Sequence, residues 1–314
     1  MQDLNRLPLE RLYEALDGRG LVRRLLELAR DEDLGVTGDV TARACLPKDR
    51  RARAALVVRQ ACVVSGLRAV PALLDAFGGD LAWSAFVTDG ARVDRGVALG
   101  ELRGSLRAVL AVERTLLNLL GRLSGVATLA GRFADAVRGT GARVYDTRKT
   151  IPGLRVLEKY AVRCGGAHCH RIGLFDAVLI KDNHIAHVPV DDLAAFVAAA
   201  MKRSGAENPG PAFRELEVDT LDQLRAVLAA PDGRACGLDV ILLDNMTPEH
   251  LRRAVALRDA SGTPLQLEAS GGVRIDTVGE IARTGVDRIS CGAMTHSAVA
   301  VDVALDIAGE GESG

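Results

Sequence analysis

A chain of 314 residues is long enough for two domains or for one large α/β unit with an appendage. Hydrophobic residues make up 48% and charged residues 26%, with a net charge of −1 and no long single-sign run, as in an ordinary globular protein. That balance excludes a whole-molecule field for nucleic acid, and the 3% of aromatic residues offers little for base stacking.

No apolar run approaches the roughly eighteen residues that cross a bilayer, and the opening MQDLNRLPLERLYEAL lacks the apolar core of an export signal. Cys45, Cys62, Cys164, Cys169, Cys236 and Cys291 follow no framework spacing and read as reduced thiols of a cytoplasmic protein. Apolar spacing of three and four over residues 9–30 predicts one helix, followed by an irregular segment to about residue 47 that contains Gly35, Gly38 and Pro47. Residues 51–65 read as a strand or bent hairpin arm, 67–77 as a short apolar helix and 81–103 as further strands. Together they predict a small α/β domain with an antiparallel sheet. Residues 106–137 carry a long helical pattern interrupted by Gly121, Gly125 and Gly131. Each helical glycine costs about 1 kcal/mol against alanine, so the pattern is read as two helices divided near Ser124-Gly125.

From Ala142 the period changes. Short apolar runs ending in polar residues recur at 142–147, 176–182, 215–220, 239–245, 265–271 and 287–292, and helical patterns such as 220–228, 248–258 and 277–284 lie between several of them. Alternation of this kind predicts a parallel sheet, and spacings of roughly 20–25 residues suit successive units of an α/β barrel. Asp146, Lys181, Glu217, Asp219, Asp244, Glu268, Ser270, Ser290 and Gly292 all fall near strand C-termini, the end at which barrel active sites are built.

Arg148, Lys149, His170, Arg171 and Lys181 supply a cationic side to that mouth, suited to carboxylates and phosphates, and Glu217, Asp219, Asp244 and Glu268 an anionic one. A multiply anionic small substrate with a divalent cation, Mg²⁺ by its preference for oxygen, would match both. Ser270-Gly271-Gly272 and Gly292-Ala293 could bring backbone N–H groups to a phosphate. Cys164, His168 and Cys169 match no usual zinc spacing and are read as structural. His187 and His250 read as solvated. No nucleophile elbow and no P-loop signature is present.

Several long motifs resemble the quinolinate phosphoribosyltransferase family, also called nicotinate-nucleotide pyrophosphorylases (carboxylating). They are EDLGVTGDVT, ERTLLNLLGRLSGVAT at 113–128, DTRKTIPGLRVLEKYAV at 146–162, HRIGLFDAVLIKDNHI at 170–185, EVDTLDQL, ILLDN, EASGG and GAMTHS. The resemblance implies an N-terminal α/β sandwich-like domain with a linking helix, residues 1–124, and an incomplete, TIM-like α/β barrel, residues 125–314. Residues from about 295 are expected to pack back on the first domain. The implied reaction takes quinolinate and phosphoribosyl pyrophosphate to nicotinate mononucleotide, pyrophosphate and CO2, with Mg²⁺, in de novo NAD biosynthesis. The implied assembly is a homodimer or higher homo-oligomer.

Carried over on the matching motifs, Arg148, His170, Arg171 and Lys181 resemble the ligands of the two quinolinate carboxylates, and Arg114 an arginine that enters the partner subunit's site. Lys149 resembles a lysine set against the phosphoribosyl substrate, and Glu217 and Asp244 the acids near its ribose hydroxyls and metal. Ser270, Gly271 and Gly292 match the 5′-phosphate loops, with His296 nearby. Lys149, Lys181, Glu217 and Asp244 are expected to carry the catalysis. Two departures stand out: GGGxNHR is here GGAHCHR, with Ala167 and Cys169, and TRKTTPG is TRKTIPG, with Ile151. Two rival readings are a related phosphoribosyltransferase for another acid, such as nicotinate or the substrate of molybdenum-associated paralogues, and a catalytically silent paralogue. The small, polar tail GEGESG is expected to be mobile.

Overall fold

The computed structural model describes residues 3–207, 210–230 and 235–309. The tail from Glu310 onward lies outside the described residues. In chain order the elements are α1 (Leu9–Leu16), α2 (Leu21–Leu34), α3 (Val40–Cys45), β1 (Arg51–Val58), β2 (Cys62–Val63), α4 (Val70–Phe77), β3 (Leu81–Ala85), β4 (Arg92–Val93) and β5 (Ala98–Ser105). Next come α5 (Leu106–Ala136), β6 (Arg143–Tyr145), α6 (Arg155–Cys164), β7 (Val178–Ile180), α7 (Asp182–Ile185), α8 (Val190–Glu207), β8 (Arg214–Val218) and α9 (Leu221–Leu228). The last are β9 (Val240–Asp244), α10 (Pro248–Ser261), β10 (Gln266–Ser270), α11 (Val278–Ala282), β11 (Arg288–Ser290), α12 (Ala293–His296) and β12 (Val303–Gly309). Among the described residues no helix is long and apolar enough to cross a membrane.

Contacts divide the chain into two compact units. One comprises the described residues of 1–6, 132–149 and 167–293, and the other those of 7–131, 150–166 and 294–314. The first unit holds a six-stranded sheet in the order β6-β11-β10-β9-β8-β7, parallel throughout. β6 and β7 are its two edges, so this is a barrel sheet left open between its first and second strands. A single bridge, Tyr145 to His168, adds the chain after α6 to the β6 edge. The second unit holds the antiparallel sheet β12-β1-β5-β3, in which the C-terminal strand β12 pairs with β1 from Val58 opposite Val303 to Ala52 opposite Gly309.

The second unit corrects two expectations. Residues 9–30 are two helices rather than one, because Asp17-Gly18-Arg19-Gly20 breaks the chain, with Gly20 at φ 64°. Conversely, residues 106–136 are one uninterrupted helix, not two. Its glycines answer crowding: a Cβ on Gly125 would stand 2.1 Å from the Val299 carbonyl oxygen, and one on Gly121 would stand 2.7 Å from that of Val301. The segment 150–166, including α6 and its fully buried Lys159, also clusters with this unit. The cation-rich run 146–185 therefore does not all build one pocket.

Candidate active site

A cavity of about 560 Å³ lies at the C-terminal ends of the parallel strands. Strand geometry explains its lining, since alternate residues face one side. Leu179 and Lys181, Leu242 and Asp244, and Glu268 and Ser270 line it in pairs two residues apart, joined by Glu217 and Ser290. Arg148, Lys149, His170, Arg171 and Gly271 complete the part that the sequence indicated. Arg148 is half-buried and Lys149 exposed, just past the end of β6. The Lys181 ammonium donates to Glu217, which holds one cation and one acid in register across β7 and β8. Arg171 is 7% exposed, and burial, then the neighbouring Arg148, lowers its pKa. Two guanidiniums in one cavity lining repel each other, and an anion between them would relieve that repulsion.

The phosphate-type turn follows β10. Gly271 and Gly272 have φ of 89° and 60°, backbone that glycine adopts without strain. The turn also lies against Asn245: a Cβ on Gly271 would stand 2.1 Å from the Asn245 side-chain oxygen, and the Asn245 N–H donates to the Ser270 carbonyl at 2.9 Å.

Beneath this mouth, inside the sheet, His170 meets a second set of charges. Its Nε2 is 3.2 Å from both Glu215 and Glu268, and Arg288 Nε is 2.6 Å from the other Glu268 oxygen. The Arg288 guanidinium lies 4.0 Å from the Tyr145 ring centroid and 5.1 Å from that of Phe213. Burial pulls the His170 pKa down, but Glu268 and Glu215 outweigh it and raise it to about 9. Burial likewise opposes ionisation of Glu268, yet His170 and Arg288 bring its carboxyl down to about 2. Burial, then Glu268, pushes the Glu215 carboxyl up.

His170, Glu215 and Glu268 have ligand atoms within 4.8 Å of one another, a donor set that could hold a metal ion. Arg288 already brings positive charge to Glu268, and with His170 protonated the two acids and two cations balance. We therefore read the group as a buried ion network. Glu268 therefore lines the mouth, as its place in the sequence indicated, while its charge is engaged by His170 and Arg288. Asp219, expected on the same acidic side, is exposed beyond β8 and is not among the residues lining the cavity.

Residues 126–306 match the quinolinate phosphoribosyl transferase C-terminal domain and residues 39–124 the N-terminal domain. The chain belongs to the quinolinate phosphoribosyltransferase family. It is 42% identical over 293 residues to the nicotinate-nucleotide pyrophosphorylase [carboxylating] of Mycobacterium leprae, covering 92% of this chain and 96% of that one. It is 36% identical over 298 residues to a mitochondrial quinolinate phosphoribosyltransferase [decarboxylating] of Nicotiana glauca, covering 91% and 82%. The solved nicotinate-nucleotide pyrophosphorylase of Francisella tularensis superposes with a TM-score of 0.80 at 33% identity, over 98% of this chain and all of that one.

Within this family member the sequence-derived residues separate into two groups. Arg148, Lys149, His170, Arg171, Lys181, Glu217, Asp244, Ser270 and Gly271 line one cavity. Gly292, two residues past β11, does not line it. Arg114 and His296 belong to the second compact unit. Arg114 is exposed on α5 and lines a cavity of about 510 Å³ there with Glu32, Asn118 and Arg122. His296 is exposed at the end of α12, its Nδ1 2.8 Å from the Ser297 hydroxyl.

Sequence reading missed Glu215 and Arg288. The signal was present: Glu215 precedes Glu217 by two residues, so both must face the same side of β8, and Arg288 is a charge within a buried run.

Proposed function

We propose that this protein transfers the phosphoribosyl group of phosphoribosyl pyrophosphate to quinolinate and decarboxylates the product, giving nicotinate mononucleotide, pyrophosphate and CO2 in NAD biosynthesis. The observation that carries this reading is the convergence of Arg148, Arg171 and Lys181 on one cavity at the ends of parallel strands, in a chain of this family. Two guanidiniums and an ammonium answer the two carboxylates of the substrate. They orient its pyridine nitrogen for attack on the anomeric carbon, so that catalysis comes from positioning and electrostatics. Lys149 neutralises charge on the departing pyrophosphate. Glu217 and Asp244 stand by the ribosyl centre as its positive charge develops. Once alkylated, the cationic ring nitrogen stabilises the electron pair that stays on the adjacent carbon when its carboxylate departs as CO2, and that carbon then takes up a proton.

Mg²⁺ fits the oxygen donors present: the Glu217 and Asp244 carboxylates line the cavity, and Mg²⁺ there would offset pyrophosphate charge. The protein acts in the cytoplasm as a homodimer in which Arg114 enters the partner's site, a reading supported by the ERTLLN motif and by the six cysteines, none of them disulfide-bonded.

The test is turnover of quinolinate labelled in its 2-carboxylate, with phosphoribosyl pyrophosphate and Mg²⁺. Labelled CO2 and nicotinate mononucleotide should appear together in equal amounts. Mononucleotide formed from nicotinate without CO2 would move the assignment to a different acid, and binding of quinolinate without turnover would make this a silent paralogue.

A further inference from the structure

The segment that carries His170 and Arg171 is extended, and most of its backbone is tied to its own side of the sheet. The His168 N–H donates to the Val144 carbonyl at 2.8 Å, and the His168 carbonyl accepts from Asp146 N–H at 2.9 Å. The His170 N–H donates to the Asp146 carboxylate at 2.8 Å, and those of Ile172 and Gly173 donate to Asp176 at 2.7 and 2.8 Å. In an extended chain successive residues present their backbone groups to opposite sides, so those of Cys169 face away from β6. Both are met by one side chain from the other end of the sequence. The Cys169 N–H donates to Asn5 Oδ1 at 2.7 Å, and Asn5 Nδ2 donates to the Cys169 carbonyl at 2.9 Å.

We propose that Asn5 is a positioning residue for the substrate-binding turn: its carboxamide acts as a one-residue strand edge that locks Cys169 and so holds His170 in its ion network and aims Arg171 at the quinolinate carboxylates. The inference rests on the functional reading given above. Cys169 is 4% exposed, so its backbone groups have little access to water in place of this partner. A side chain must offer an acceptor and a donor on one planar group of this length, which asparagine does and aspartate, serine and alanine do not. Cys169 also stands where the related turn carries asparagine, so the turn has no carboxamide of its own at that position.

A second observation agrees. Residues Asp3 to Arg6 wall a further cavity of about 410 Å³ whose lining also includes His170, Arg171 and Arg288. His170 and Arg171, which also line the mouth cavity, thus have the Asn5 segment beside them in this second cavity.

The experiment is steady-state kinetics and thermal unfolding of the full chain carrying Asn5→Ala or Asn5→Asp, with Arg171→Ala as reference. Asn5→Ala should raise the quinolinate KM about tenfold, the scale of one to two lost backbone hydrogen bonds, lower the melting temperature by roughly a few degrees, and leave the phosphoribosyl pyrophosphate KM and the folded fraction at the assay temperature unchanged. Asn5→Asp keeps the acceptor for Cys169 N–H and should fall between Asn5→Ala and the unaltered protein. An unchanged quinolinate KM in Asn5→Ala, while Arg171→Ala raises it, overturns the proposal and leaves the site assignment standing. Both KM values rising together, or a loss of melting temperature that accounts for lost activity, reduces Asn5 to a structural residue. If Arg171→Ala itself leaves quinolinate binding intact, the site assignment fails and the proposal with it.

Discussion

His170 stands between two demands, burial that disfavours its charge and two carboxylates that require it. The groups around it are Glu215 on β8, Glu268 on β10, Arg288 on β11, and Tyr145 and Asp146 at the end of β6. Its folded pKa of about 9 lies above the ordinary 6.5. Protonation therefore contributes stability that is complete below pH 6.5 and is lost as pH rises through about 9. Glu268, held at about 2 against an ordinary 4.5, works in the other direction, adding stability above 4.5 that is lost as the solution is acidified towards 2. Urea unfolding followed from pH 6 to 10 should show the alkaline loss, and His170→Gln should be less stable overall and lack that slope. An unchanged slope in the variant would place the titration elsewhere. At this scale residue types were legible but their partners were not. Glu217, Asp244 and the arginines stood out by position at strand ends. Glu268 was recognised as an acid, but its charge is engaged by His170 and Arg288, which come from elsewhere in the chain.

At the scale of elements, all six parallel strands and the helices that follow several of them were legible in the alternation of apolar runs with amphipathic patterns. Local capping made their ends distinct: Thr220 accepts from the Gln223 N–H at 3.2 Å while the Gln223 side chain returns to the Thr220 N–H, which starts α9. The long helix α5 was misread because a glycine signals either a break or a close neighbour, and nothing within residues 106–137 distinguishes them. The neighbour is a segment more than 170 residues later. Gly125→Ala should destabilise the protein by about 1–3 kcal/mol, since its Cβ would meet backbone that cannot turn aside. Gly131→Ala, where the nearest atoms stand 3.4 Å or more from the new Cβ, should be neutral or stabilising by up to about 1 kcal/mol. Urea midpoints of the two variants check both, and equal effects would show that helix propensity rather than contact governs these sites.

For the whole molecule, the proposed shared site makes a complementation prediction. Arg114→Ala and Lys181→Ala proteins should each be inactive, yet mixing them under proven subunit exchange should restore up to about one quarter of full activity, the share of sites that receive both intact residues in random dimers. No recovery in hybrids demonstrated by mass would count against an arginine shared between subunits. The family models meet between residues 124 and 126, whereas the compact units interleave 150–166 and the described residues 294–309 with the N-terminal elements. The two divisions differ because a family model follows the chain, while packing follows apolar surface: α6 buries Val156, Leu157, Tyr160 and Ala161 in the unit to which α5 contributes most of its length.

Residue order alone was enough for the α/β class, the strand succession and the basic and acidic groups at strand ends, because periodicity and motif spacing are local properties. Three features were decided only in three dimensions: the engagement of Glu268 by His170 and Arg288, the close packing that gives α5 its glycines, and the capture of Cys169 by Asn5 across 164 positions. Each depends on which distant backbone or charge arrives at a given point, and that is fixed by how the strands and helices pack rather than by the residues next to it in the chain.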